Sequence, residues 1–386
     1  MLKPALLPAC YTEQVWFDRE CEHIFGKLWL LAGLTQQLKR ENSFVTRSLN
    51  GVPVVVQNMG NGRLRAFRNA CAHRGMPIQL ESSGNRKLIC PYHAWTYGDD
   101  GRLRGIPNEK IYGIGNDERS NIRLQEFALE VVGNFVFVNL GRSPMPIDKQ
   151  YSADLLELLR CISPYFAPEV SYTRFVGHYN WKLNFENVLD WNHAQFVHRQ
   201  TLAPQLAFDD EGTFSAPVSA ASKLFGPGSA LENARFSDGT YPDSDIDLRS
   251  VSHIGRSLMP YTPRWYSRLL EATLDEGAFF ACNIFPNVNF GSIHGEMFYL
   301  QQFSPIAPDR TEYHSWVFTS RLKPDVRGMP HLLWGMHHAE KRVVDEDIVL
   351  LEALQAALES ANGVGIMGDH ESSLVAFGRW YMQNVA

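Results

Sequence analysis

Two short segments, each holding one cysteine and one histidine, constrain this chain more than any other feature. Cys71-Ala72-His73 and Cys90-Pro91-Tyr92-His93 are separated by the 16 residues from 74 to 89. Two thiolates and two imidazoles can close a tetrahedral zinc site, or hold a two-iron cluster with the cysteines on one iron and the histidines on the other. Zinc-binding turns usually offer two ligands of one kind. Here each turn offers one of each, which suits a cluster whose irons draw matched ligands from opposite loops. Two unrelated cysteines and two structural histidines are the plain alternative. The other cysteines, Cys10, Cys21, Cys161 and Cys282, are scattered without the density of a disulfide framework, so a reducing cytoplasm is the expected compartment.

The sequence around these loops reads as strands. Phe44-Val45-Thr46 and Val52 to Val56 flank Asn50-Gly51, a dipeptide suited to a tight hairpin turn. Gly60-Asn61-Gly62 marks a second turn before Leu64 to Phe67, and strand-like runs continue through Leu88-Ile89 and Val131 to Leu140. Residues 40–145 are therefore expected to form a small all-β domain, closed by Pro144 and Pro146. Residues 1–39 precede it as a helical segment packing on the C-terminal domain, with apolar spacing over 11–33 that suggests one amphipathic helix. Residues 146–386 form that second domain. Helices are expected at Ala153 to Cys161, Asn180 to His198 and about Met329 to Glu359. Strand-like runs at Phe279 to Phe290, Ile293 to Phe303 and Tyr313 to Leu322 suggest an antiparallel sheet. Leu202 to Asp247, rich in Ser, Gly, Pro and Asp, reads as loop. This order of elements is α+β, and no GxGxxG follows a strand to suggest a bound dinucleotide.

Composition removes several classes. Hydrophobic residues at 45% and charged residues at 20% fit a soluble globular protein with a large core. Thirty-six Lys and Arg against 42 Asp and Glu leave a net charge of -6 with no basic block, which argues against nucleic-acid binding. No apolar run reaches the ~18 residues of a membrane span. The first ten residues, interrupted by Pro4 and Pro8, hold too short an apolar stretch for an export signal.

A second constellation lies between Asn180 and His198, where Asp190, His193 and His198 fall within one predicted helix. Asp190 and His193, three apart, would share a face and could hydrogen-bond. His193 and His198, five apart, sit about 140° around an ideal helix, so joint metal binding requires an unwound or π-type turn between them. Two imidazoles and one carboxylate make the facial triad of non-haem Fe(II) oxygenases, with positions left open for O2. The missing carboxylate is sought in Val343 to Glu352. On a helix Asp347 shares the apolar face of Val344, Leu351, Leu354 and Leu358, whereas Asp345 and Glu346 fall with Lys341, Arg342 and Glu352. An acid on an apolar stripe is unfavourable unless it binds something. Asp347 is therefore the expected third ligand, with Glu346 on the solvated face.

Arg68-Asn69-Ala70-Cys71-Ala72-His73-Arg74-Gly75-Met76-Pro77 and Cys90-Pro91-Tyr92-His93-Ala94-Trp95-Thr96-Tyr97, continued by Asp100-Gly101-Arg102-Leu103, resemble the two loops of a Rieske [2Fe–2S] domain. Together with Asp190-x2-His193-x4-His198, and with Asp347 followed by Glu352 and Gln355, they make the chain from roughly 11 to 380 resemble the oxygenase (alpha) subunit of the Rieske non-haem iron oxygenases. The resemblance implies an all-β Rieske domain, its cluster on Cys71, His73, Cys90 and His93, inserted in a helix-grip catalytic domain of antiparallel sheet and long helices. It implies a mononuclear Fe(II) on His193, His198 and Asp347, with Asn187 beside the iron. It also implies a head-to-tail homotrimer, with or without a beta subunit, in which Asp190 bridges to a neighbour's Rieske centre. Electrons would come from a separate reductase or ferredoxin, because the chain has no flavin or nicotinamide motif.

The expected reaction is O2-dependent hydroxylation of a small organic, aromatic substrate by mono- or dioxygenation, or its oxidative demethylation. Gly363 to Arg379 look similar to the quaternary-ammonium branch of the family, and a monooxygenase of such a compound is the alternative. A Rieske electron-transfer protein with an inactive second iron site is the alternative from another class, and the intact Asp190, His193, His198 and Asp347 set argues against it. Phe196, Phe285, Met297 and Tyr299 are candidate pocket residues, and His253, Asn283, Asn289 and His294 candidate polar contacts. His337-His338 with Glu340 could bind a metal, but reads rather as a solvated helix face.

Overall fold

The computed structural model describes residues 3–190, 192–205, 246–258, 263–271, 278–361, 365–368 and 371–386. The expected loop from Leu202 to Asp247 lies almost wholly outside them. Two compact units result: Phe25–Met145, and Met1–Ile24 together with Pro146–Ala386.

The unit Phe25–Met145 is built on a seven-stranded antiparallel sheet in the order Trp29–Leu34, Phe135–Asn139, Glu126–Val132, Leu64–Arg68, Val52–Asn58, Ser43–Leu49, Ser83–Asn85. The hairpin turn forms at Asn50 and Gly51, both with positive φ (50° and 71°), the geometry that asparagine and glycine tolerate best. Three expectations change here. The segment 11–33 is helical only at Ala9–Thr12 and Gln14–Glu20, followed by a π-turn at Cys21–Phe25, and then becomes the strand Trp29–Leu34. Every residue of that strand is buried, so its apolar run serves a strand covered on both faces rather than one stripe of a helix. Val131 to Leu140 divides at Gly133 (φ 58°) into two strands, and Leu88-Ile89 makes only an isolated bridge, Ile89 to Thr96. Phe44, Val55, Phe67, Ile78, Leu88, Trp95 and Leu103 form this unit's core, and Cys71 and Cys90 are buried within it.

In the other unit a six-stranded antiparallel sheet runs in the order Ser171–Gly177, Arg310–Thr319, Met297–Ala307, Val288–Ile293, Ala278–Ile284, His253–Leu258. The outer strands Ser171–Gly177 and His253–Leu258 were not anticipated. The expected run Phe279 to Phe290 is two strands, because Phe285, Pro286 and Asn287 turn the chain between them. Side chains alternate across the sheet. Phe290, Phe298 and Phe318 pack with Phe166 on one face, while Phe279, Ala281, Asn289, Ile293, Met297, Tyr299 and Gln301 line a cavity on the other. Gly291, paired across strands with Tyr299, makes this possible: a Cβ there would overlap the Tyr299 hydroxyl.

Two helices bring the second constellation together. Pro330–Glu359 runs for 30 residues, close to expectation. Trp181–Leu189 is pinned at its start: Asn180 Oδ1 caps the Lys182 amide at 3.0 Å, Gln355 Oε1 accepts from Asn180 N at 3.0 Å, and Glu352 Oε1 accepts from His178 N at 3.0 Å. Lys182 and Glu20 form an ion pair with no solvent exposure, and Glu20 also accepts from Trp181 Nε1 at 2.7 Å and Tyr381 Oη at 2.6 Å. Removing one partner of such a buried pair strands a charge, at about 3–5 kcal/mol. The pair thus ties the helices Gln14–Glu20, Ser372–Asn384 and Trp181–Leu189, the last of which leads to His193, into one arrangement.

Candidate functional site

The Cys/His loops of the β unit have the same backbone plan. Cys71 N donates to Met76 O and Gly75 N to Cys71 O, both at 2.8 Å; Cys90 N donates to Trp95 O at 2.9 Å and Ala94 N to Cys90 O at 3.0 Å. Gly75 and Ala94 hold corresponding positive-φ positions (74° and 53°), a backbone state strained for alanine and free for glycine. The cysteines are buried and the histidines half-exposed, their rings 4.8 Å apart between centroids, with Trp95 stacked on His73. Burial pushes the Cys71 thiol above its ordinary range, and the neighbouring Cys90 adds to that push while a hydrogen bond to Tyr97 opposes it. Tyr97 Oη lies 3.0 Å from Cys71 Sγ and accepts from Ala72 N at 2.9 Å, which leaves its own proton for the sulfur. Desolvation, with His93 and Arg74 alongside, lowers the His73 pKa and favours the neutral ring that binds metal.

These features fit a metal cluster: the sulfurs are buried at one end and the half-exposed imidazoles lie together at the other, the matched pairing that a two-iron cluster uses. Among the described residues His193, His198 and Asp347 form a second group, with ligand atoms within 4.8 Å of one another.

His193, His198 and Asp347 converge by a route the helix reading missed. The helix stops at Leu189, and Asp190 takes an extended conformation (φ -91°, ψ 107°) with its Oδ1 accepting from Asn192 N at 2.8 Å. A separate turn, Ala194–Val197, then carries the chain from His193 to His198. The break therefore falls between Asp190 and His193, not between the two histidines, and it removes the need for a π-turn. Asp190 and His193 are neighbours all the same, with Oδ2 3.5 Å from Nδ1, longer than a normal hydrogen bond.

The donor set fits one cation. His198 Nδ1 lies 2.8 Å from Glu346 Oε2, an acceptor, so the ring proton sits on Nδ1. That leaves the Nε2 lone pair facing Asp347 Oδ1 at 3.1 Å, and this oxygen is buried without a hydrogen-bond partner. His193 Nε2 is 3.7 Å from the same oxygen. Burial favours a neutral His198, yet the contacts with Asp347 and Glu346 outweigh it and push the pKa up. A metal ion at this point would satisfy all three atoms. Asn187, His193, His198 and Asp347 line the same cavity, of about 890 Å³, so one side of such an ion faces open space.

Glu346 corrects an expectation. It was placed on a solvated face, but the loop after His198 folds back on the long helix, and Glu346 accepts from Thr201 Oγ1 at 2.6 Å as well as holding His198. Partners of this kind typically change metal affinity by about 10- to 100-fold. Glu346→Gln is expected to weaken iron binding on that scale without abolishing it, measured by iron retention during chelator competition; unchanged retention would remove Glu346 from the site. Met297, Tyr299 and Asn289 do line the cavity, whereas Phe196 is exposed and Phe285 is core against Phe185 and Trp380. Asn283 donates to Val188 O at 3.2 Å, and neither His253 nor His294 is among the lining residues. His337 hydrogen-bonds Ser171 and Thr173, and Glu340 is buried at the cavity wall, so that helix face is not solvated. Only His338, stacked on exposed Trp334, matches the solvated reading.

Comparison with known proteins places both halves. Residues 28–123 match the Rieske [2Fe-2S] domain family, and residues 167–386 match the family described as ring hydroxylating alpha subunit (catalytic domain). The oxygenase subunit of glycine betaine monooxygenase from Pseudomonas aeruginosa is 32% identical over 202 residues, 52% of this chain and 46% of that protein. The large subunit of anthranilate 1,2-dioxygenase from Acinetobacter baylyi is 34% identical over 197 residues, 49% of this chain and 41% of that protein. The chain thus spans about half the length of the curated relatives it matches. In fold it is similar to the quaternary ammonium Rieske monooxygenase CntA, at TM-score 0.74 and 20% identity over 100% of this chain and 96% of that one. Naphthalene 1,2-dioxygenase from Rhodococcus is similar at TM-score 0.70 and 19% identity, over 99% of this chain and 94% of that one.

Proposed function

The chain belongs to the ring-hydroxylating alpha-subunit family, and on that premise we propose that it is the terminal oxygenase of a multicomponent system, oxidising a small organic substrate with O2 and with electrons from a separate reductase or ferredoxin. One observation carries the reading: two imidazoles and a carboxylate converge within 4.8 Å on the wall of a largely apolar cavity. Cys71, His73, Cys90 and His93 are the proposed cluster ligands, and His193, His198 and Asp347 the proposed Fe(II) ligands. When bound, the cluster relays single electrons and the mononuclear iron activates O2.

The chain's own residues supply geometry and protons. Glu346 fixes the His198 tautomer so that Nε2 points into the site. Tyr97 donates toward the Cys71 sulfur, which stabilises the thiolate. Phe279, Met297 and Tyr299 on the sheet and Met336 on the long helix surround the cavity with apolar surface that excludes water from the reacting group. Asn187 lines the same cavity, in keeping with a place beside the iron. Asp190, beside His193 Nδ1, is the proposed bridge to the cluster of a neighbouring copy in a head-to-tail homotrimer, with or without a beta subunit.

Two substrate classes are kept. The aromatic lining supports a small aromatic ring, and the relatives named for glycine betaine, choline and carnitine support a quaternary ammonium compound. The six cysteines form no disulfide among the described residues, which supports a cytoplasmic setting, and no helix among the described residues is long and apolar enough to cross a membrane. Anaerobically purified protein is expected to carry about three irons per chain, two in a Rieske-type cluster and one mononuclear. It should show the Rieske paramagnetic signal on reduction and consume O2 only with substrate and a reductant. Two irons per chain and no O2 uptake would instead identify an electron carrier, and a colourless zinc protein would remove both readings.

A further inference from the structure

The cavity has one wall that the reaction as described does not use. Glu340, on the long helix, is buried there with its carboxylate in a hydrogen-bonded strip: Gln301 Nε2 donates to Oε1 at 2.9 Å, and Ser315 Oγ lies 3.1 Å from both oxygens. Next along the strip, Asn289 Nδ2 donates to Gln301 Oε1 at 2.9 Å. The chemistry of each partner fixes the direction. When Glu340 is ionised it only accepts, so Gln301 turns its amide nitrogen to Glu340 and its oxygen to Asn289, and Asn289 spends its nitrogen on Gln301. Asn289 Oδ1 is then left as an acceptor, and it is buried without a hydrogen-bond partner. Both ends of the strip are therefore acceptors; both residues line the cavity, where Glu340 offers its carboxylate, while Asn289 Oδ1 is itself enclosed.

The charge is also unbalanced. No Lys, Arg or His among the described residues lies within ion-pair distance of Glu340, although Arg264 and Arg342 line the same cavity. Burial, with Asp345 and Asp347 contributing and the Gln301 and Ser315 hydrogen bonds opposing, pushes the Glu340 carboxyl up to about 7. A buried carboxylate held by neutral donors alone is an unfavourable arrangement unless something else meets it.

We propose that the Glu340–Gln301–Asn289 strip recognises a substrate bearing a protonated, hydrogen-bond-donating nitrogen. A primary or secondary ammonium brings both things the wall lacks, a positive charge for Glu340 and N–H donors for its unfilled acceptor positions. A neutral hydroxyl brings only the donor. A quaternary ammonium brings only the charge, so the strip separates the amine from the methylated cations that name several relatives. The inference rests on the oxygenase reading only in taking this cavity as the substrate's.

The test is direct binding by calorimetry with three probes of one size: a phenylalkyl primary amine, the alcohol of the same length, and the trimethylammonium analogue. The amine is expected to bind about 10- to 100-fold more tightly than either, the worth of a hydrogen bond to a buried charge. Glu340→Gln, isosteric and uncharged, should bring the three probes to within about threefold of one another, since the difference it removes is that of a single charged hydrogen bond. Glu340→Asp, which keeps the charge, should restore part of the preference, and the circular-dichroism spectrum and melting temperature of each variant report that it has folded. Equal binding of the three probes by the unmodified protein, no amine binding, or an amine preference that survives Glu340→Gln would overturn the proposal. Turnover is not needed for the measurement. If the protein prefers the amine but holds no mononuclear iron, the oxygenase reading fails while the recognition strip stands.

Discussion

Asp347→Ala protein is expected to lose its mononuclear iron and all substrate-dependent O2 uptake while its Rieske spectrum stays unchanged. The reason is local. Among the described residues Asp347 Oδ1 is the one carboxylate oxygen placed against both His193 Nε2 and His198 Nε2, and it has no hydrogen bond that would survive as an alternative role. With alanine there, two neutral imidazoles remain, a set without the anionic ligand that hard Fe(II) chemistry favours. The cluster loops belong to the other compact unit, which has a core of its own. Metal analysis should fall from about three irons per chain to about two, those of the cluster. The Glu346→Gln protein should fall between this variant and the unmodified chain. Full iron occupancy in Asp347→Ala would show that another group is the third ligand.

Helical periodicity put Asp347 on a stripe with Val344, Leu351, Leu354 and Leu358, of which Val344 and Leu351 are buried, Leu358 is half-buried and Leu354 is exposed, so the stripe holds for the helix turns around Asp347 and not beyond them. The same rule misplaced Glu346. Periodicity tells which side of a helix a residue occupies but not what returns to cover that side, and here the turn after His198 brings Thr201 back across it. Glu340 was misread for a related reason, because its partners Gln301 and Ser315 come from strands far away in sequence. The Cys/His loops were fully legible because their spacing is local and each loop closes on itself within five residues. The helix break at Asp190 was not. Asp-x-Asn offers the backbone a side-chain acceptor two residues on, Asp190 Oδ1 to Asn192 N, and that local bond competes with the helix without disturbing the apolar pattern. In the sheet, Met297–Ala307 and Arg310–Thr319 were legible as strand-like runs, and both are buried along most of their length. Ser171–Gly177, at the edge, buries only one of its seven residues and so carried little signal.

Asp190→Asn is expected to assemble both metal centres and still to slow electron delivery between them by orders of magnitude. Asp190 is not placed as a ligand: its Oδ2 lies 3.5 Å from His193 Nδ1, on the ring edge away from Asp347. His193 Nδ1 is buried without a hydrogen-bond partner, so a small closure of that gap would give the ring the carboxylate partner that fixes tautomer and orientation. A carboxylate so placed can also accept from a second imidazole, and in the proposed head-to-tail ring that imidazole is the cluster ligand His93 of the neighbouring copy. Asparagine keeps the shape and the bond to Asn192 N but removes the charge and turns one acceptor into a donor, which cannot serve two ring N–H groups. Iron content and the Rieske signal should therefore be normal, while oxidation of the reduced cluster in a single turnover with substrate and O2 is strongly slowed. Normal cluster oxidation in an Asp190→Asn protein with both centres filled would sink the bridge. So would full activity in a monomer, because the route crosses from one copy to the next and a lone chain cannot complete it.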